Sequence, residues 1–394
     1  MMKSTRRLLT MIVAAVMLLC LFTACGQRDK KTAVSEVYDR VFDAGTYTEL
    51  DYEYASEFFE KNFDNYAGGC TAVAKVNAAG DTVVGRNMDL NISNKAAYIV
   101  RTDVEGCYRT VGLMYTYQDY SPDYEDVKAN GLPEEFEKVM PFLADDVLNE
   151  KGLYIEINMR NGEFWPTGES KFSCPGTNPD SDERVYMFQL PRYIGEHCAT
   201  VDEALEYVKT LDVYSKDGFR NYCFLIADAS GHYGVLEFGQ NKVIWNEGQQ
   251  AQANFYVSEE LAAIQQLKAG VGRYDKVLEG IDAVQTEDEM FALMDSVSYF
   301  QIYDIKNCQF DYRSENVGEE PYATYDYVMA EENGAYIEEA MLQLGAYVNS
   351  LSRQELRDEN TYWESVFTEV VNCNERTLLV RFYEDDAKTL TLGF

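Results

Sequence analysis

Histidine is nearly absent. The 394 residues contain two, His197 and His232. They stand in no HExxH-type spacing, which argues against a His-rich zinc centre. A Ser-His-Asp triad would have to use one of them. Positive charge is also scarce, with 34 Lys and Arg against 67 Asp and Glu, a net charge of −33. Such a surface repels phosphate backbones and excludes nucleic acid as a partner. The sequence has no GxxxxGK[ST] and no GxGxxG, so no local motif cradles a nucleotide. Its cysteines show no CxxC spacing that would argue for a metal, and no motif calls for a cofactor. Repeats and low-complexity tracts are missing as well. What remains is 46% hydrophobic and 26% charged, the composition of a globular chain with a sizeable core.

The N-terminus reads as an address. Lys3, Arg6 and Arg7 precede an apolar run over 8–22, followed by Thr23-Ala24-Cys25. The run is shorter than a membrane-spanning helix needs. Small residues before a cysteine resemble a bacterial lipobox. This predicts a signal peptide over 1–25, a lipid on Cys25, and an exported chain anchored to the outer face of a cell membrane. An ordinary signal peptide or membrane anchor is the alternative. Residues 26–49 are polar and suit a tether. Tyr54, Phe58, Phe59 and Phe63 recur at helical spacing, which predicts a docking helix over 50–63. Seven cysteines remain beyond Cys25, so at least one thiol is free whatever disulfides form.

From Cys70 the texture changes. Residues 70–77 and 82–89 read as a hairpin around Ala78-Ala79-Gly80-Asp81. A helix is predicted over 134–149, a strand over 152–160 and a capped helix over 200–211. A hairpin follows over 221–238, helices over 273–281 and 286–297, and closing strands over 362–371, 377–383 and 390–394. Strands come as hairpins with helices in pairs between them. That predicts an α+β fold with antiparallel sheets rather than an alternating parallel one. The segments are a signal over 1–25, a propeptide-like tether over 26–69 and a main domain over 70–394.

Cys70 opens a strand directly after Gly68-Gly69. Were the Gly69–Cys70 bond cut, this residue would carry both a thiol and a free α-amine. The amine has an ordinary pKa near 8, suited to a general base at neutral pH. Attacker and base in one residue need no histidine. A turn centred on Ala79-Gly80 predicts Asp89 directly opposite Cys70, close enough to orient the amine. The bland alternative is a buried structural cysteine beside a solvated Asp.

Cys70-Thr71 followed by Gly85-Arg86-Asn87-Met88-Asp89 resembles the choloylglycine hydrolase family. These are cysteine N-terminal-nucleophile amidases, including bile salt hydrolases and penicillin V acylases, with linear amide hydrolases as near relatives. Further segments resemble the family in order: Asn149-Glu150-Lys151-Gly152-Leu153, the 225–238 hairpin, Ala253-Asn254-Phe255, Gly272-Arg273-Tyr274, and Thr361-Tyr362-Trp363-Glu364-Ser365. The resemblance spans 70–394. It implies an αββα sandwich, two antiparallel sheets between helix layers. It also implies Cys70 as nucleophile and base, Asp89 on the α-amine, Arg86 and Arg273 as electrostatic support, and Asn254 and Asn158 as oxyanion donors. Strict alternation sets Arg86 on the face opposite Asp89, which calls for a bulge near Gly85 or the strand's end to re-aim it.

The expected activity is hydrolysis of a linear N-acyl amide through an acyl-thioester. The long segment before Cys70 favours a penicillin V acylase-like or linear amide hydrolase over a bile salt hydrolase. The expected partners are a small acyl amide and, through Cys25, the membrane. The rival reading is a surface lipoprotein that uses the same fold for binding.

Overall fold

The computed structural model describes residues 33–62, 69–91, 95–115, 121–159, 174, 176–215, 222–239, 242–263, 270–298, 363–383 and 388–394. The signal-like segment with Cys25, Phe63, the Gly68 side of the break, Cys308, Thr361 and Tyr362 lie outside the described residues.

Among the described residues, two large sheets form. The first has nine strands, in the spatial order Ala33–Val34, Val41–Tyr47, Ala97–Thr102, Thr110–Tyr115, Asp146–Asn149, Tyr154–Met159, Tyr222–Ala227, Tyr233–Gly239 and Lys242–Glu247. The second has six, Ala251–Gln252, Gly69–Val76, Thr82–Asn91, Trp363–Asn372, Thr377–Phe382 and Leu390–Leu392. One pairing within them is parallel, Val41–Tyr47 with Ala97–Thr102. A parallel neighbour needs a long crossover, and here the helix Tyr52–Asn62 and the Cys70 hairpin lie between the two strands in sequence.

Side chains alternate across a strand, and this sorts the six-stranded sheet into two faces. Cys70, Ala72, Ala74, Val84 and Met88 join the main core shared with the nine-stranded sheet. Val73, Val83 and Val370 point the other way, onto Val277, Ile281, Met290, Phe291 and Met294. The helices Val271–Ile281 and Glu287–Asp295 therefore cover the outer face of this sheet. On the far side the helix Leu190–His197 lies on the nine-stranded sheet. A Cβ added at Gly195 would sit 2.4 Å from Val147 Cγ1. The layers run helix, sheet, sheet, helix, and the α+β αββα expectation holds.

Local chemistry sets the helix ends. Thr286 accepts from Glu289 N while the Glu289 side chain accepts from Thr286 N, a reciprocal capping box. Thr200 accepts from Glu203 N, although the Glu203 carboxylate reaches back to Ala199 N.

Two expectations change. The helix predicted over 134–149 stops at Val139, passes through a 3-10 turn at Met140–Leu143 and becomes the strand Asp146–Asn149. Pro141 cannot donate to a helix ladder, and the strand site between two apolar neighbours then claims 146–149. Residues 33–47 are not a polar spacer but two strands of the large sheet, with Val41 and Phe42 fully buried. The docking helix forms over Tyr52–Asn62, burying Ala55 and Phe59 and half-burying Tyr54 and Phe58.

Candidate active site

The Cys70 hairpin has a different register from the one the sequence suggests. Cys70 pairs with Met88, and Asp89 pairs with Gly69. The turn is five residues long, 77–81, rather than the four of Ala78-Ala79-Gly80-Asp81. Asn77 Oδ1 accepts from Ala79 N at 3.0 Å and Asp81 N at 2.9 Å, and its own N–H donates to Asp81 O. An Asn side chain that builds such a turn competes well with the shorter alternative. Shifting the register by one exchanges faces. Arg86 thus lies on the Cys70 face with no bulge between residues 82 and 89, and Asp89 lies on the other face.

Each residue of Gly85-Arg86-Asn87-Met88-Asp89 now has a physical task. A Cβ at Gly85 would lie 2.7 Å from Met290, so only glycine lets the covering helix approach. Asn87 Nδ2 donates to Met294 O at 2.9 Å near the end of that helix, and Thr368 Oγ1 donates to Asn87 Oδ1. Met88 Sδ lies 3.6 Å from Cys70 Sγ. Asp89 accepts from Arg273 Nη1 at 3.0 Å and from Ser365 Oγ at 2.5 Å.

Arg86 is fully buried between the sheets. Its Nη1 donates to Asp146 Oδ2 at 2.7 Å, its Nε to Glu156 Oε2 at 3.1 Å and its Nη2 to Ile157 O at 2.9 Å. The same Nη2 is 3.8 Å from Cys70 Sγ. Tyr154 donates to Glu369 and approaches Asp146. Burial pushes the Cys70 thiol up from its ordinary value, with the Arg86 charge pulling the other way. Burial also raises Asp146 and Glu369, and lifts Glu156 to about 7 against the pull of Arg86.

Arg273, in the first turn of Val271–Ile281, ties the other side together. Nη1 donates to Cys70 O at 3.1 Å, Thr71 Oγ1 at 2.8 Å and Asp89, while Nη2 donates to Asn254 Oδ1 at 3.0 Å. With Gly69–Cys70 joined, Cys70 N donates to Asn254 Oδ1 at 3.0 Å, not to Asp89. Asn254 Nδ2 donates to Met159 O at 2.6 Å. Asn158 is fully buried, and neither end of its amide has a hydrogen-bond partner among the described residues. It shares a strand face with Glu156, whose carboxylate touches Arg86, so it too looks toward the Cys70 sheet.

All six residues singled out in the sequence, Cys70, Asp89, Arg86, Asn254, Arg273 and Asn158, are buried in this one region. Sequence reasoning quoted Thr71 and Ser365 within motifs without giving them a role, and missed Asp146, Glu156 and Glu369. The available signal was an ionisable residue inside an apolar strand, as in Tyr154–Met159. The residues of Asn149-Glu150-Lys151-Gly152-Leu153 serve a turn instead. Asn149 Oδ1 accepts from Lys151 N and Leu153 N, and Nδ2 donates to Gly195 O and Cys198 O. No disulfide joins the six described cysteines to one another.

Residues 76–315 match the model of the family described as acyl-coenzyme A:6-aminopenicillanic acid acyl-transferase. The match begins six residues after Cys70 and takes in the other five site residues. No curated protein matches the sequence. Among solved structures, penicillin V acylase from Agrobacterium tumefaciens aligns at 13% identity and a TM-score of 0.43, covering 82% of this chain and 86% of that one. A variant of conjugated bile acid hydrolase from Clostridium perfringens aligns at 12% identity and a TM-score of 0.40, covering 82% and 92%. By the extent of the family match, more than half its length, the chain belongs to the acyl-coenzyme A:6-aminopenicillanic acid acyl-transferase family of N-terminal nucleophile proteins.

Proposed function

We propose that the chain is a cysteine N-terminal-nucleophile amidase acting on a linear N-acyl amide. The observation that carries this reading is the array around Cys70, in which its side chain, N–H and carbonyl are each engaged by a different site residue. Cutting Gly69–Cys70 frees an α-amine where Asn254 Oδ1 already accepts from the same nitrogen. The amine takes the thiol proton, and sulfur attacks the amide carbonyl. The proton passes to the leaving nitrogen, the C–N bond breaks and an acyl-thioester remains. Water then releases the acid and restores the thiol. Asn158, whose buried amide has no hydrogen-bond partner among the described residues, is assigned as the donor to the oxyanion. Asn254 contributes after the cut, when its bonds rearrange. Arg273 and Asp89 hold Asn254 and the Cys70 carbonyl in place.

The family model adds a second acceptor. It is described as an acyl-transferase, and a thioester can pass its acyl group to an amine as well as to water. Penicillin V-like or other linear N-acyl amides are the favoured substrates, and a lipid on Cys25 would place the reaction at an outer membrane face.

The test is a panel of acyl amides with purified protein, with and without a free amine, and Cys70→Ser and Cys70→Ala as controls. Turnover by wild type, loss in both variants and an N-terminus at Cys70 support the reading. Activity retained in Cys70→Ala, or an intact Gly69–Cys70 bond with no turnover, overturns it and leaves a binding protein of the same fold.

A further inference from the structure

A buried ionic cluster built on Arg86 lies behind the thiol, and the reaction above gives its carboxyls no task. Four groups on four strands converge there: Arg86 on Thr82–Asn91, Asp146 on Asp146–Asn149, Glu156 on Tyr154–Met159 and Glu369 on Trp363–Asn372. All four are fully buried. The strand registers bring them together: Glu369 is directly opposite Arg86, and Asp146 is directly opposite Glu156. A cross-strand pair from each sheet therefore meets in the space between the sheets. Mere clamping of two sheets does not need three carboxyls for one guanidinium, since burying a surplus charge is costly.

Resting on the assignment of Cys70 as nucleophile, we propose that Asp146 and Glu156 are positioning residues for it. They fix the Arg86 fork so that Nη2 lies against Cys70 Sγ, and by drawing on the same positive charge they set how readily the thiol ionises. The geometry is a division of one guanidinium into three edges. Nη1 is taken by Asp146 and Nε by Glu156, and Nη2 alone reaches Ile157 O and the thiol. The two carboxylates leave the planar fork little freedom to turn. A negative charge on either competes with a thiolate for Arg86. The charged groups acting on the thiol are Arg86 and Asp89 from its own sheet and Glu156 and Asp145 from the other, while Asp146, Tyr154 and Glu369 act with Arg86. Burial raises Glu156 to about 7, so its charge changes where the thiol must work.

The test follows thiolate absorbance near 240 nm against pH in the full chain, as the difference from Cys70→Ser. Asp146→Asn suits it because its oxygen still accepts from Arg86 while its amide donates toward Tyr154. Glu156→Gln is the second variant, and Glu369→Gln replaces either one that fails to fold. The expected result is a thiol midpoint lower by about one pH unit in each variant, tenfold in thiolate fraction. Curves that coincide with wild type, whether or not the melting temperature falls, assign the carboxyls to structure alone and overturn the proposal. A wild type with no amidase turnover but with this shift overturns the proposed activity and leaves the thiol tuning standing.

Discussion

Asp89 shows how one residue acts through another. Its carboxylate holds Arg273, which in turn holds Thr71, Asn254 and the Cys70 carbonyl. Asp89→Ala removes the carboxylate that pairs with Arg273, which is 2% exposed. Removing one member of a buried pair costs about 3–5 kcal/mol, a loss that urea unfolding will show, together with lower turnover. Stability unchanged in Asp89→Ala contradicts the pairing. Glu156 gives a pH test. Its folded value, about 7, lies above its ordinary 4.5. The native chain therefore holds more protons than the unfolded one in that window, and the Glu156 contribution to stability falls as pH rises through it. Asp146 and Glu369 shift in the same direction. Between pH 5 and pH 8, the urea midpoint of wild type should fall more than that of Glu156→Gln. Parallel curves refute the assignment.

At the scale of elements, the Gly85-Arg86-Asn87-Met88-Asp89 strand separates two environments by alternation alone. Arg86 and Met88 face the thiol, whereas Gly85, Asn87 and Asp89 face the helix layer and Arg273. Gly85→Ala drives a Cβ to 2.7–2.8 Å from Met290 and Met294. Overpacking of this kind costs about 1–3 kcal/mol. The helix Glu287–Asp295 must back away, loosening Asn87 and the strand that carries Arg86. A thermal midpoint equal to wild type shows that the methionines give way freely. Gly195→Ala, against Val147 on the opposite layer, makes the same demand of the helix Leu190–His197 without touching the Cys70 strand. Its stability should fall while the pH dependence of the thiol stays as in wild type.

At the scale of the molecule, residues 33–62, all before the proposed cut, are built into the fold of the chain that follows it. Val41–Tyr47 hydrogen-bonds along Ala97–Thr102, Asp43 pairs with Arg101 at 2.9 Å, and Tyr214 donates to Glu60 at 2.6 Å. Tyr52 donates to Glu196, and its ring packs edge-on against Phe142 and Tyr193. Burying Phe42 and Phe59 adds about 1.5–3 kcal/mol each before ordering costs. After cleavage at Gly69, the N-terminal piece should stay docked and co-elute with the rest in size exclusion, separating only in denaturant. If Cys25 carries a lipid, the catalytic part then stays on membranes without a covalent link. Phe58→Asp/Phe59→Asp should release it, and equal membrane retention of the variant and wild type would show that this helix does not hold it.

The local chemistry of the chain was legible in the residues themselves. Caps at Thr200 and Thr286, period-two runs and the hairpin over 222–239 depend on neighbours within a few positions, so sequence determines them. The family resemblance of the Cys70 hairpin and of the later segments pointed to six candidate site residues for the same reason: side-chain chemistry and spacing travel with the chain. Register did not. Whether Cys70 faces Met88 or Asp89 turned on Asn77, whose side chain chose a five-residue turn, and one position exchanged the two faces. The fate of 141–149 depended on a strand site that only the assembled sheet offers. The partners of Arg86 came from strands 60 and 70 residues away in sequence. No local pattern encodes such a meeting, because a buried charge is stabilised by whatever the packed sheets bring to it, and that is decided only when they close.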